Sequence, residues 1–160
     1  MDVNAFYGVL AGLSFTLLGL WWVACQSRMN WLVDRVGRGM AYVVSLHFAL
    51  PGAMSLLSLV APDQPALWRI TFATAGVAGL VGTALVVATM RRRSDDARLA
   101  KMLQWVALPV YALVTLVAIV PGIATGIGIT PLQVEGIALV ILIVLGTQSA
   151  WLVTFASTPG

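Results

Sequence analysis

Five long apolar runs, each nearly free of charge, constrain the fold of this chain more than any other feature. They cover about residues 5–25, 40–61, 66–90, 101–120 and 131–155. Each run has about 20 residues or more, which as α-helix is enough to cross the ~30 Å hydrocarbon core of a bilayer. The runs are continuously apolar and do not alternate with period two, which disfavours a transmembrane β-barrel.

The composition agrees with a membrane location. Of the 160 residues, 60% are hydrophobic and only 9% are charged, which differs strongly from the composition of soluble domains. We therefore predict an all-α polytopic membrane protein, in which residues 1–160 form a single domain, a bundle of five transmembrane helices. The first partner of such a chain is the lipid bilayer.

The basic residues are concentrated in two of the predicted connections. Eight of the nine Lys and Arg residues lie between runs 1 and 2 or between runs 3 and 4: Arg28, Arg35, Arg38, Arg91, Arg92, Arg93, Arg98 and Lys101. The positive-inside rule then predicts a multi-pass protein of the cell membrane with loops 26–39 and 91–101 in the cytoplasm, the N-terminus outside and the C-terminus inside. Basic residues beside anionic headgroups explain the positive charge, so no nucleic-acid partner is expected.

The residue types needed for common chemistry are scarce. The chain has one histidine and one cysteine, Cys25, and shows no Ser–His–acid set, paired intramembrane carboxylates, phosphate-binding glycine motif or metal-ligand cluster. We therefore predict that the protein is not an enzyme, binds no metal and needs no cofactor.

The single histidine lies at an unusual depth. His47 falls near the middle of the second run, four residues before Pro51, whose missing N–H frees the carbonyl of His47 and predicts a kink. An ionisable side chain at that depth indicates a functional site. The alternative is a neutral imidazole that bonds to a neighbouring helix, for example to Gln148. With Thr115, these residues are our candidates for a transport path.

Two charged residues lie inside the apolar runs on the predicted outer side. Arg69 and Glu135 each fall about 8–9 Å below the predicted start of its helix. We expect them to form an ion pair in the outer leaflet; the alternatives are separate side chains that reach for the surface, or a binding or gating pair.

The third run contains a glycine every third residue. Gly76, Gly79 and Gly82 form a smooth stripe that permits close helix packing, and the partner helix could belong to the same chain or to another.

The start of the fifth helix is marked clearly. Thr130, Pro131 and Gln133 match a capping box with proline at the first helical position. Residues 121–129 are then a connection whose glycines disfavour helix.

Two functional hypotheses follow from these features. The first is a homo-oligomeric channel or carrier for an ion or small solute, built around the proline-containing helices. The alternative is a non-catalytic accessory subunit that packs onto a larger membrane complex through the glycine stripe.

The predicted topology can be tested by cysteine labelling in a Cys25→Ala background. Asp2→Cys and Ser157→Cys should react with an impermeant maleimide from opposite sides of the membrane, because an odd number of spans separates them. Labelling of both from one side would require an even number of spans and would contradict the topology.

Overall fold

Five helices long and apolar enough to span a membrane make up most of the structure. The structure is a computed structural model that describes residues 3–27, 33, 35–60, 64–91, 97–126 and 128–155. All secondary structure in these residues is helical, in chain order α1 (Val3–Gln26), α2 (Arg35–Val60), α3 (Pro65–Arg91), α4 (Ala97–Met102), a π-helical turn (Leu103–Ala107), α5 (Leu108–Ile119), α6 (Gly122–Thr125) and α7 (Pro131–Phe155).

The predicted apolar runs correspond to α1, α2, α3, the continuous α4–π–α5 segment and α7. The largest difference is at the start of α2, which begins at Arg35 and not near residue 40. The added first turn of α2 contains Arg35 and Arg38, and arginine is a good helix former although it is not apolar. Within the two basic loops, residues 28–32, 34 and 92–96 lie outside the described residues.

Four of the spans form a closed ring. α2 packs against α3, α3 against α5, α5 against α7, and α7 against α2. Successive spans run in opposite directions, as in an up-and-down four-helix bundle. The end where α1 stops and α2 begins is called the basic end below, and the end where α1 begins is called the N-terminal end.

The first helix lies outside this ring, in the groove between α2 and α7. Aromatic side chains fix it near both ends. The Tyr7 hydroxyl donates to the Leu132 carbonyl of α7 at 2.7 Å, and the indole N–H of Trp21 donates to the Ala41 carbonyl of α2 at 3.2 Å. Each bond satisfies a polar group that would otherwise be unpaired in an apolar environment.

The glycine stripe of α3 packs against helices of the same chain. A Cβ added at Gly76 would collide with the Thr115 hydroxyl, and one at Gly79 would collide with the Tyr111 ring. A Cβ added at Gly82 would lie 2.6 Å from Cδ1 of Leu46. The stripe therefore sets the approach of α3 to α5 and α2, as small residues do in membrane bundles.

Pro51 and Pro109, which lie inside the second and fourth spans, are accommodated differently. α2 continues through Pro51 as one helix. In the fourth span, a π-helical turn directly precedes α5, and the Leu108 N–H donates to the Leu103 carbonyl five residues earlier. Pro109 is the second residue of α5 and has no N–H to donate. The wider turn directly before it is a feature found often at functional sites.

The connection before α7 contains more helix than the sequence predicts. Gly122–Thr125 form a helical turn, α6, whose Ala124 is buried. Local hydrogen bonds override the low helix propensity of glycine here, including Ala124 N–H to the Pro121 carbonyl at 3.2 Å. Gly128 has a φ of +76°, which few other residues adopt.

The capping box of α7 is confirmed. The Thr130 N–H donates to Oε1 of Gln133 at 3.0 Å, and the Gln133 N–H donates to the Thr130 hydroxyl oxygen at 3.3 Å. These reciprocal bonds satisfy two amides at the helix start.

Replacing Gly79 with alanine should destabilise the bundle by about 1–3 kcal/mol, because the new methyl group would collide with the buried Tyr111 ring. Gly12→Ala is the matched control, since nothing lies within 4 Å of a Cβ added at Gly12. Unfolding by SDS titration in mixed micelles measures both. Equal changes in the free energy of unfolding for Gly79→Ala and Gly12→Ala would show that the close contact at Gly79 does not limit helix packing.

Candidate functional site

Hydroxyl groups in this bundle fall into two classes. Seven serine and threonine hydroxyls in the described helices donate to the carbonyl four residues earlier, at 2.8–3.0 Å: Thr16, Ser45, Thr71, Thr74, Thr89, Thr115 and Thr147. Those of Ser58 and Thr125 donate to the carbonyl three residues earlier. This is the usual way to satisfy a hydroxyl within an apolar helix. Such residues need no other partner.

The second class consists of buried polar atoms that have no hydrogen-bond partner in the described structure. They belong to the side chains of Ser14, His47, Ser55, Thr83, Tyr111, Glu135 and Ser149. All seven residues are fully buried. Because an unpaired buried polar group costs free energy, such groups need a reason that packing alone does not supply.

The side chains of His47 and Tyr111 are neighbours inside the four-helix ring. Nδ1 of His47 lies 2.6 Å from the Val43 carbonyl of its own helix. A carbonyl can only accept, so Nδ1 carries the proton and Nε2 of the neutral ring presents a lone pair. The Tyr111 ring lies 5.7 Å from the His47 ring, centroid to centroid. Each of these neighbouring side chains carries one polar atom without a hydrogen-bond partner in the described structure, the acceptor Nε2 of His47 and the hydroxyl of Tyr111.

Glu135 lies in α7 nearer the N-terminal end. The residue is fully buried, and neither carboxyl oxygen has a hydrogen-bond partner. The next residue, Gly136, lies against Tyr7 of α1, because a Cβ added at Gly136 would lie 3.6 Å from the Tyr7 hydroxyl oxygen. The Tyr7 ring packs edge-to-face on Phe72 of α3, with centroids 6.5 Å apart. Burying a lone carboxyl in such apolar surroundings costs free energy, and the cost is greatest when the carboxyl is ionised.

The unpartnered groups are distributed along the bundle axis. A Cβ added at Gly146 would lie 2.9 Å from Cβ of His47, so Gly146 and His47 are at the same level. Glu135 is eleven residues from Gly146 along α7 and therefore about 16 Å nearer the N-terminal end. Ser149 lies about 5 Å beyond Gly146 towards the basic end. The polar groups thus extend over roughly 20 Å of the interior.

The predicted ion pair between Arg69 and Glu135 is not formed. Arg69 donates from Nε to the Ala118 carbonyl at 2.9 Å and from Nη2 to the Ile119 carbonyl at 2.8 Å. These are the last carbonyls of α5, which lack helical partners because the helix ends before Pro121. A cation is also favoured at that end by the helix dipole. Arg69 therefore caps α5, and Glu135 is left without a cation.

The sequence-based transport candidates do not all meet in one place. His47 and Pro51 are buried in the ring, and Thr115 is half-buried against Gly76 with its hydroxyl bonded to the Tyr111 carbonyl. Gln148 is exposed on the outside of the bundle. The predicted contact between His47 and Gln148 is therefore absent, because Nε2 of His47 has no partner.

Several buried polar residues were not identified from the sequence. Tyr7 and Ser14 share one face of α1, seven residues apart, and both are buried. That spacing in an otherwise apolar run is a usable signal for an inward-facing polar stripe. Tyr111 gives no comparable signal, because its place in the ring depends on the space left by Gly79.

Within the part of the chain that the structure describes, no three His, Cys, Asp or Glu residues are grouped so as to hold a metal ion. No protein-family model matches the chain, and neither the curated proteins nor the solved structures gave a match.

The absence of an ion pair can be tested with a double-mutant cycle of Arg69→Gln and Glu135→Gln. Arg69→Gln alone should destabilise by about 1–3 kcal/mol, because two charge-assisted hydrogen bonds to α5 are lost. Glu135→Gln alone should be neutral or stabilising, since an unpaired ionisable group is removed. The two effects should add to within about 0.5 kcal/mol. A larger coupling energy, measured by SDS unfolding, would show that the two side chains interact and would support the predicted ion pair.

Proposed function

We propose that this protein is a small, non-catalytic membrane transport protein, a carrier or channel for an ion or small solute. Its path follows the buried polar groups inside the ring, from Glu135 near the N-terminal end to His47 and Tyr111 in the middle. The observation that carries the proposal is the fully buried carboxyl of Glu135, which has no hydrogen-bond partner. Ionisable residues at such positions in membrane proteins mark ion pathways and proton relays.

The free-energy cost of burying unpaired polar groups indicates that they do not serve packing alone. Six of the seven residues with unpartnered polar atoms belong to the helices of the ring. Buried polar groups without partners do not stabilise a fold, and apolar residues of similar size would do so better. The exposed hydroxyls of Thr74 and Thr89 are satisfied by their own helices. The buried hydroxyls of Ser55, Thr83 and Ser149 have no hydrogen-bond partner in the described structure. Available donors and acceptors are what a passing ion, proton or polar solute requires.

The tight packing of the ring favours a carrier or a side-chain relay over an open channel. Large apolar side chains fill the described interior, among them Met54, Phe72, Leu103, Leu139 and Leu142, all fully buried. Transport through this conformation needs a rearrangement. The π-helical turn at Leu103–Ala107 is the element best suited to it, because its hydrogen bonds can change register without ending the helix.

The accessory-subunit hypothesis loses its main support. The stripe of Gly76, Gly79 and Gly82 is covered by Thr115, Tyr111 and Leu46 of the same chain, so it is not a free surface for another subunit. Assembly into a homo-oligomer stays a prediction, which native mass spectrometry in mild detergent tests. A path inside one chain does not itself require assembly.

Flux measurements in proteoliposomes test the proposal. Proton flux driven by a potassium diffusion potential and followed by an entrapped dye, together with uptake of monovalent cations, provides the assay. Glu135→Gln and His47→Phe should each lower the flux by roughly tenfold or more, the effect of losing about 1.4 kcal/mol at the rate-determining step.

A matched pair of threonine variants provides the control. Thr83→Val removes an unpartnered interior hydroxyl and should reduce flux, whereas Thr74→Val removes an exposed hydroxyl already bonded to the Ile70 carbonyl and should not. Equal flux in wild type and all interior variants would contradict the path. No flux in any protein, with a second membrane protein co-purifying, would favour the accessory subunit.

A further inference from the structure

A groove of about 250 Å³ lies between α2 and α3 at the basic end. Its walls come from these two spans, among them Arg35 and Gly39 of α2 and Leu85, Val86 and Thr89 of α3. Arg35 is exposed, and Leu85 is 64% exposed. The groove therefore opens on the outside of two spans, with a charged residue in its lining.

The lining changes from charged to apolar from the basic end inwards. Arg35 is the first residue of α2, and Gly39 lies one turn further along it, about 6 Å deeper. A Cβ added at Gly39 would lie 3.6 Å from both γ-carbons of Val86, so the helices are close at this level without a collision. The Thr89 hydroxyl donates to the Leu85 carbonyl at 2.9 Å, which uses its donor within α3. The guanidinium of Arg35 is thus the charged group of the groove, above an apolar wall.

The positive charge at this end has no acidic counterpart in the part of the chain that the structure describes. Glu135, the only acidic residue among the described ones, lies in α7 nearer the N-terminal end. In the sequence, loops 26–39 and 91–101 contain eight basic and three acidic residues, a net charge of +5. An anionic ligand is therefore favoured at the basic end over a neutral or cationic one.

We infer that this groove binds one anionic phospholipid, with its phosphate at the Arg35 guanidinium and a stretch of one acyl chain along Gly39, Val86 and Leu85. Arginine matches phosphate oxygens with paired, charge-assisted hydrogen bonds. Basic pockets between transmembrane helices are sites for anionic lipid headgroups. The inference concerns the outside of the bundle and does not depend on the transport proposal.

Size and charge select this occupant over the alternatives. The groove is smaller than the roughly 300–1,000 Å³ of sites that enclose a drug-sized molecule, so it suits part of a longer one. A free phosphate would pair with Arg35 but leave the apolar wall without a ligand. A neutral lipid would cover the wall without balancing the charge. A second copy of the chain, in the same orientation in the membrane, would bring its own basic end close, and like charges repel.

Native mass spectrometry of the purified full-length chain in mild detergent tests the site. Phosphatidylglycerol and phosphatidylcholine with the same acyl chains form a matched pair of probes, because only the headgroup and its net charge differ. The first phosphatidylglycerol should bind with a Kd about fivefold or more lower than the first phosphatidylcholine, the effect expected of one arginine near an anionic headgroup. Equal Kd values would overturn the inference.

Two arginines in the first turn of α2 separate the groove from overall charge. Arg35 lines the groove, whereas Arg38 is exposed, is not part of the lining and donates from Nη1 to the Val33 carbonyl at 2.8 Å. Arg35→Gln and Arg38→Gln each remove one positive charge. Arg35→Gln should abolish most of the preference for phosphatidylglycerol, Arg35→Lys should retain part of it, and Arg38→Gln should leave it intact. Equal losses in Arg35→Gln and Arg38→Gln would assign the preference to net charge and overturn the inference.

Gly39→Leu tests the apolar wall by filling the groove. The Kd for phosphatidylglycerol should rise to that for phosphatidylcholine, because the acyl chain can no longer lie beside Arg35. Gly12→Leu is the matched control on α1, where an added Cβ meets nothing within 4 Å, and it should bind as the wild type does. Circular dichroism and SDS unfolding verify that each variant is folded, and the Arg35 variants test the site if Gly39→Leu does not fold.

The remaining outcomes identify other occupants. Inorganic phosphate in large excess should not displace bound phosphatidylglycerol; full displacement would assign Arg35 to a free anion and overturn the inference. A dimer that excludes lipid, and that Gly39→Leu dissociates, would assign the groove to a second copy and also overturn it.

Discussion

Close contact between helices through glycine is the constraint on which the rest of the structure depends. In a bilayer, lipid tails are as apolar as the side chains of the protein, so helix association relies on dispersion contacts and close packing. Gly79 leaves the space that the Tyr111 ring fills, and Gly146 brings α7 against His47 and Phe48. Without these contacts, the imidazole of His47 and the phenol of Tyr111 would not be neighbours. The four-helix ring would then lack these two polar side chains at its centre.

Arg69 and Glu135 show that the carbonyls at the end of a helix can compete with a carboxyl group as the partner of an arginine side chain. Matching depth in the membrane brings two opposite charges to similar levels, but it does not determine which face of the bundle each one occupies. The carbonyls at the end of α5 provide Arg69 with two short hydrogen bonds and the negative end of a helix dipole. That local partner leaves the carboxyl of Glu135 as an isolated ionisable group, and the transport proposal rests on it.

The sequence predicts the helices far better than it predicts the site. Hydrophobic length locates the five spans, and Thr130 with Gln133 marks the start of α7 correctly, because each signal is local. The glycine stripe is visible in the sequence, but its partners Thr115, Tyr111 and Leu46 depend on the packing of other helices. For the same reason the sequence identifies Glu135 and His47 as unusual residues but places Gln148 wrongly beside His47, and it gives no indication of Tyr111.

The π-helical turn determines how the two halves of the fourth span are oriented. One extra residue in a turn rotates everything that follows by about 100° relative to a regular α-helix. With the turn present, Leu103, Ala107, Tyr111 and Val114 all face the interior. If the turn regularised, or moved along the span, the Tyr111 hydroxyl would swing away from the His47 side of the ring while the basic end of the span kept its position. A change of hydrogen-bond register at Leu103–Ala107 would therefore change which side chain the span presents to the centre of the bundle.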